Sequence, residues 1–135
     1  MSYPLDVAAQ NIALDALLSG DTSGLPTSWE VAGYSDDPRT GGVEVSGAGY
    51  ARPVISADLT DWPAASAGAK TSATVPVADP SGAWTDTIRF WVLIDHADST
   101  TRWFFGRLLE EVAVVTGTET DIAYQLTIFW STEGF

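Results

Sequence analysis

The segment 87–95, Thr-Asp-flanked and reading Ile88-Arg89-Phe90-Trp91-Val92-Leu93-Ile94, constrains the fold more than any other stretch. Successive side chains on a strand point to opposite faces. Ile88, Phe90, Val92 and Ile94 therefore share one face, and Arg89, Trp91 and Leu93 the other. Both faces are mainly apolar, so the strand must be covered on both sides and lie centrally in a sheet. The turn at 95–100 leads to 101–109, which reads as its hairpin partner.

The rest of the chain supplies shorter strands. Segments 29–34, 43–45, 50–55, 73–77 and 112–115 are candidates, separated by turn-forming groups such as Ser35-Asp36-Asp37-Pro38 and Asp79-Pro80-Ser81-Gly82. Pro53 and Pro76 cannot donate to a ladder and mark edges or bulges. Ile122, Tyr124, Leu126, Ile128 and Trp130 alternate with other residues as one half-buried strand, after a turn at Thr116-Gly117-Thr118. Before all of these, 4–18 follows the helical period through Leu5, Ala8, Ala9, Ile12 and Ala16, with Leu14, Leu17 and Leu18 widening the stripe. Pro4 suits a first turn and Gly20 a stop. A helix of about four turns is marginal alone, so this stripe is expected to pack on its own sheet or on another subunit.

The expected fold class is mainly β: an antiparallel β-sandwich or barrel of about seven strands with one N-terminal α-helix. The 135 residues suit a single globular unit, divided into an N-terminal helix at 1–20 and a β domain at 21–135.

Charge excludes several functions. The chain carries 18 acidic and 6 basic residues, a net charge of −12. Duplex binding needs clustered cations, yet Lys70 is the only lysine and the arginines are scattered. Nucleic acid and an anionic membrane surface are not expected as partners. The 1–18 segment lacks the basic start and long apolar run of a signal peptide, so a soluble, cytoplasmically made chain is expected. Cysteine is absent, which removes disulfides, thiolate metal sites and a cysteine nucleophile.

No residue pattern points to catalysis. His96 is the only histidine and lies in a turn, with no Gly-x-Ser-x-Gly elbow elsewhere. Glu110 and Glu111 are adjacent on a strand and cannot flank one bond together. Asp95 and Asp98 could offer oxygens to Ca²⁺, but no calcium-loop pattern surrounds them. Gly47-Ala48-Gly49 lacks the Lys-Ser/Thr of a phosphate loop. The expectation is no catalytic residue, no metal and no cofactor. The six tryptophans admit a sugar-stacking reading, with Trp62, beside Pro63, the best candidate for an exposed platform.

The order of features resembles a family of small bacteriophage virion proteins, of the tail-fibre or minor structural type. The resemblance runs from the 11–20 helix with its leucine pair, through Asp36-Asp37-Pro38, to Val45-Ser46-Gly47-Ala48-Gly49-Tyr50-Ala51-Arg52. It continues through the small-residue loop 62–70, Val75-Pro76-Val77, Gly82-Ala83-Trp84, the 88–95 strand and Gln125-Leu126-Thr127-Ile128. Glu110-Glu111 and the Trp-rich strands depart from the pattern. The resemblance implies a non-catalytic component of the virion, tail- or fibre-associated, with other virion proteins as partners. A capsid decoration protein on the head shell and a carbohydrate-binding β-sandwich module are the alternatives. Repeated identical contacts imply a homo-oligomer, expected to be a trimer. Leu14, Leu17, Leu18, Tyr50, Arg52 and Trp62 are the interface candidates. Tyr50 and Arg52 could equally serve the chain's own core and carboxylates.

Overall fold

The fold is described from a computed structural model, over residues 6–77, 82–84, 86–113 and 122–129. It is mainly β, with one α-helix and antiparallel sheets. The expected turns at Asp79-Pro80-Ser81 and Thr116-Gly117-Thr118, and the positions of Pro4, Leu5 and Trp130, lie outside the described residues.

Helix α1 spans Val7–Ser19, and Gly20 ends it in the left-handed conformation with φ 71°. Only glycine adopts that conformation without steric cost, and its N–H closes on the Asp15 carbonyl. The Asp6 carboxylate does not cap the helix. It turns instead to Arg102, accepting the backbone N–H at 2.9 Å and the guanidinium at 3.2 Å. The Asp6 N–H donates to the Arg102 carbonyl at 3.0 Å. Arg102 thereby holds the helix root.

The main sheet has four strands in the order β2-β1-β5-β6. Here β1 is Ser28–Tyr34, β2 is Val54–Ser56, β5 is Ile88–Asp95 and β6 is Arg102–Val112. The sequence-based expectation of a central 87–95 strand with a 101–109 hairpin partner agrees with this order. Two further pairs complete the β structure: β3 (Ala69–Thr71) with β8 (Thr127–Phe129), and β4 (Val75–Val77) with β7 (Ile122–Tyr124).

Four expectations need correction. None of the sheets closes, so the described strands form no barrel. The count of about seven does not hold either: the described residues carry eight strand segments, five of them only three residues long. The single alternating strand expected at 122–130 is two strands with different partners. Its break falls at Leu126, whose N–H bonds the buried Ser72 hydroxyl at 2.9 Å and whose carbonyl accepts from Ser72 N–H at 2.8 Å. That exchange moves the chain from one pairing to the next. Segment 43–45 forms only an isolated bridge, Tyr34 to Glu44.

The core divides along β5. Trp91 and Leu93 pack with Val31, Ile55, Trp62 and Leu126 on one face. Val92 and Ile94 pack with Ala32 on the other. A register shift between Ile88 and Phe90 lets Ile88 join Val45 and Trp84 in a third cluster. Gly106 lies opposite Trp91 across the β5–β6 pair, and a Cβ there would stand 2.5 Å from the indole. Only glycine leaves room for that ring against the neighbouring strand.

Candidate functional site

The apolar stripe of α1 is only partly covered among the described residues, with Ile12 and Ala16 half-buried. Ala9 is its one buried residue. Ile12 lies against Gly24. Val7, Leu14, Leu17 and Leu18 are exposed by 69%, 55%, 74% and 81%. At 100° per residue, Val7, Leu14 and Leu18 fall within one narrow stripe, and Leu17 flanks it. Asp15 is the only charged side chain among the 13 helical residues. The helix is thus a nearly uncharged apolar ridge on a strongly acidic chain.

The second apolar feature is an open cavity of about 380 Å³. The buried Trp62 and Leu93 form its floor, while the exposed Leu59 and Phe104 stand at its rim. Trp29 and Ile128 line it further, and Asp58 and Lys70 are its charged lining residues. Loop 56–62 is held firmly here. The Asp58 carboxylate accepts from Thr60 and Asp61 N–H at 2.9 and 3.0 Å, and its carbonyl from Trp62 N–H at 2.8 Å. Asp61 accepts from Ser56 N–H at 2.7 Å. Lys70 Nζ donates to the Pro63 carbonyl at 3.1 Å.

Trp62 was expected to be exposed, and this is corrected: it retains 6% exposure. The Asp58–Trp62 turn folds its ring inward, and its indole N–H has no hydrogen-bond partner. Trp84, Trp91 and Trp103 are buried as well. Trp29 is partly buried and meets Trp103 edge to face at 5.8 Å.

Tyr50 and Arg52 engage the chain itself. The Tyr50 hydroxyl accepts from Gly33 N–H at 3.1 Å and donates to Glu44 at 2.7 Å. Arg52 grips Glu44 with two nitrogens, at 2.8 and 2.9 Å. It also reaches Glu30 at 3.0 Å and the Ser99 carbonyl at 2.9 Å. Burial pushes the Glu30 carboxyl up, but bonds from Ser99, His96 and Arg52 outweigh it and hold the group below its usual range. Glu44 shows the same balance: burial raises it, and Arg52 and Tyr50 more than compensate. The Glu44 bond, with Glu30 beside it, raises the Arg52 guanidinium further above its already high value.

His96, half exposed in its turn, places Nδ1 2.8 Å from Glu30. This pairing across 66 residues was invisible in the sequence. Asp98 caps the same turn through Thr101 and Thr100, which hold its carboxyl down to about 2. Asp95 accepts from Ala97 N–H at 2.9 Å. Both carboxylates considered as calcium donors are therefore turn caps. Among the described residues, no three His, Asp or Glu side chains converge on a point. Among them also, no helix is long and apolar enough to cross a membrane.

Comparison with protein families matches residues 5–128 to the family described as Podophage GP4 fiber I protein gp80. No curated protein matches the chain.

Proposed function

The chain belongs to the podophage GP4 fiber I protein gp80 family, and on that premise we propose that it is a non-catalytic tail-fibre component of a phage virion. The match over residues 5–128 carries this reading. It favours the tail fibre over capsid decoration of the head shell. The sugar-platform alternative loses its best residue with the burial of Trp62.

The role is mechanical assembly: the protein associates with other virion proteins and with copies of itself. The α1 ridge supports this part. A contiguous apolar patch left exposed ordinarily marks a contact site. Leu14, Leu17 and Leu18 are the contact residues of this proposal. Tyr50 and Arg52 brace the β domain through Gly33, Glu44, Glu30 and Ser99. The 1–20 helical region and the 21–135 β domain act as one unit, joined through Asp6 and Arg102. The net charge of −12 keeps unassembled copies apart in solution and suits a basic docking surface on the virion.

Antibody labelling of intact particles in negative stain tests the placement. Label along tail fibres is the expected result. Label on the head shell would favour decoration, and particles carrying no label would sink the virion role.

A further inference from the structure

We propose that α1 is a hinged arm: the Asp6–Arg102 pair latches its N-terminal end, and when the latch opens the helix swings as one body about segment 20–27. Such a motion is independent of what the helix ridge meets in the virion.

The hinge is built lightly. Segment 20–27 runs from the end of α1 to the start of β1, and Gly20 through Leu25 are exposed. Its internal bonds are local. Ser23 N–H and hydroxyl donate to the Asp21 carboxylate at 3.1 and 2.7 Å, and Leu25 N–H donates to the Thr22 carbonyl at 3.2 Å. Gly20, at φ 71°, has no side chain to obstruct a change of direction. The β domain takes hold at Thr27, whose carbonyl accepts from Ala57 N–H at 3.0 Å. The Ile12 side chain lies against Gly24, within the hinge itself. Opening therefore uncovers one buried helical residue, Ala9, whose side chain is a single methyl.

The latch, by contrast, is concentrated. The Asp6 carboxylate accepts from the Arg102 backbone N–H at 2.9 Å and from two guanidinium nitrogens at 3.3 and 3.2 Å. The Asp6 N–H donates to the Arg102 carbonyl at 3.0 Å. Arg102 Nη1 also reaches the Pro38 carbonyl at 3.4 Å, which fixes the guanidinium on the β domain. The two side chains are 33% and 34% exposed, so dissolved ions screen their attraction. A helix held firmly at one end and lightly elsewhere opens as a local unit, at a cost below that of global unfolding. Ionic strength then sets the share of open arm.

The absence of cysteine makes the test clean. Asn11→Cys on the arm and Val54→Cys on β2 both change exposed side chains and accept spin labels. The doubly labelled full-length chain is diluted into unlabelled protein, so that pulsed dipolar spectroscopy reads distances within one chain. The expected result is two distances, the longer one gaining share as salt rises. Asp6→Ala and Arg102→Met should each raise that share severalfold. Combining them should add little, because either change alone opens the latch. Asp6 lies outside the sheet, so Asp6→Ala tests the latch even where Arg102→Met disturbs β6. One narrow distance, unmoved by salt and by Asp6→Ala, would overturn the arm. Loss of helical far-ultraviolet dichroism in step with the longer distance would show melting of α1 in place of a swing. Either failure leaves the family assignment and the self-association reading untouched.

Discussion

Arg52 and Glu30 meet at 3.0 Å, although β1 carries one and the segment entering β2 the other. The same carboxylate accepts the Ser99 hydroxyl at 2.6 Å and faces His96 Nδ1 at 2.8 Å. Glu30 is almost fully buried, so its charge is tolerable only with these partners in place. One side chain therefore ties the edge of the main sheet to the β5–β6 turn.

Acid should loosen this tie. Glu30 and Glu44 are both held below their ordinary value of 4.5. A depressed carboxylate contributes stability that is fully present above its unfolded value and lost as pH falls through the folded one. Thermal unfolding followed by circular dichroism should thus show a midpoint that drops as pH falls below about 4.5. Glu30→Gln should cost about 1–3 kcal/mol at neutral pH and flatten the acid-side decline. An unchanged acid slope in the variant would show that Glu30 is not a source of it.

Tyr50→Phe tests a single oxygen. Its removal leaves the buried Gly33 N–H without the acceptor at 3.1 Å, while Arg52 still holds Glu44. An orphaned buried donor costs about 1–3 kcal/mol. Urea unfolding should show the midpoint falling accordingly, with the slope unchanged.

Gly106→Ala should be destabilising by about 1–3 kcal/mol, since the new methyl must displace the Trp91 ring. The near-ultraviolet dichroism of the tryptophans should change with it. A variant as stable as the parent would mean that the ring has room to retreat.

Replacing Leu14, Leu17 and Leu18 together by serine should separate folding from assembly. All three are exposed, so each change should alter stability by no more than about 0.5 kcal/mol. Light scattering should show loss of the associated species with unaltered far-ultraviolet dichroism. Loss of fold instead would place these leucines in the chain's own packing.

Local patterns were legible in the sequence where short-range physics decides them. Helical period and Gly20 marked α1 closely, observed at Val7–Ser19 against an expected 4–18. Two apolar faces marked β5 as central. Alternation failed at 122–130, because Ser72, more than fifty residues away, interrupts the strand at Leu126. Trp62 was misjudged for a related reason: its setting beside Pro63 reads as exposed loop, and only the Asp58 turn reveals that the ring faces inward. The Glu30 cluster joins residues 22, 66 and 69 positions apart, separations at which no local pattern survives.

The grip of Arg102 on Asp6 has a further consequence for any load applied to α1. Tension applied through α1 cannot be dissipated in the helix, because beyond its root only Ala9 is buried. The pull passes to the start of β6, and from there into β5 along their antiparallel pairing. The sheet centre, where Val92 and Leu93 are wholly enclosed, then serves as the anchor point of the chain. A helix with one buried residue is thus moored, through Asp6 and Arg102, to the strands that carry the core.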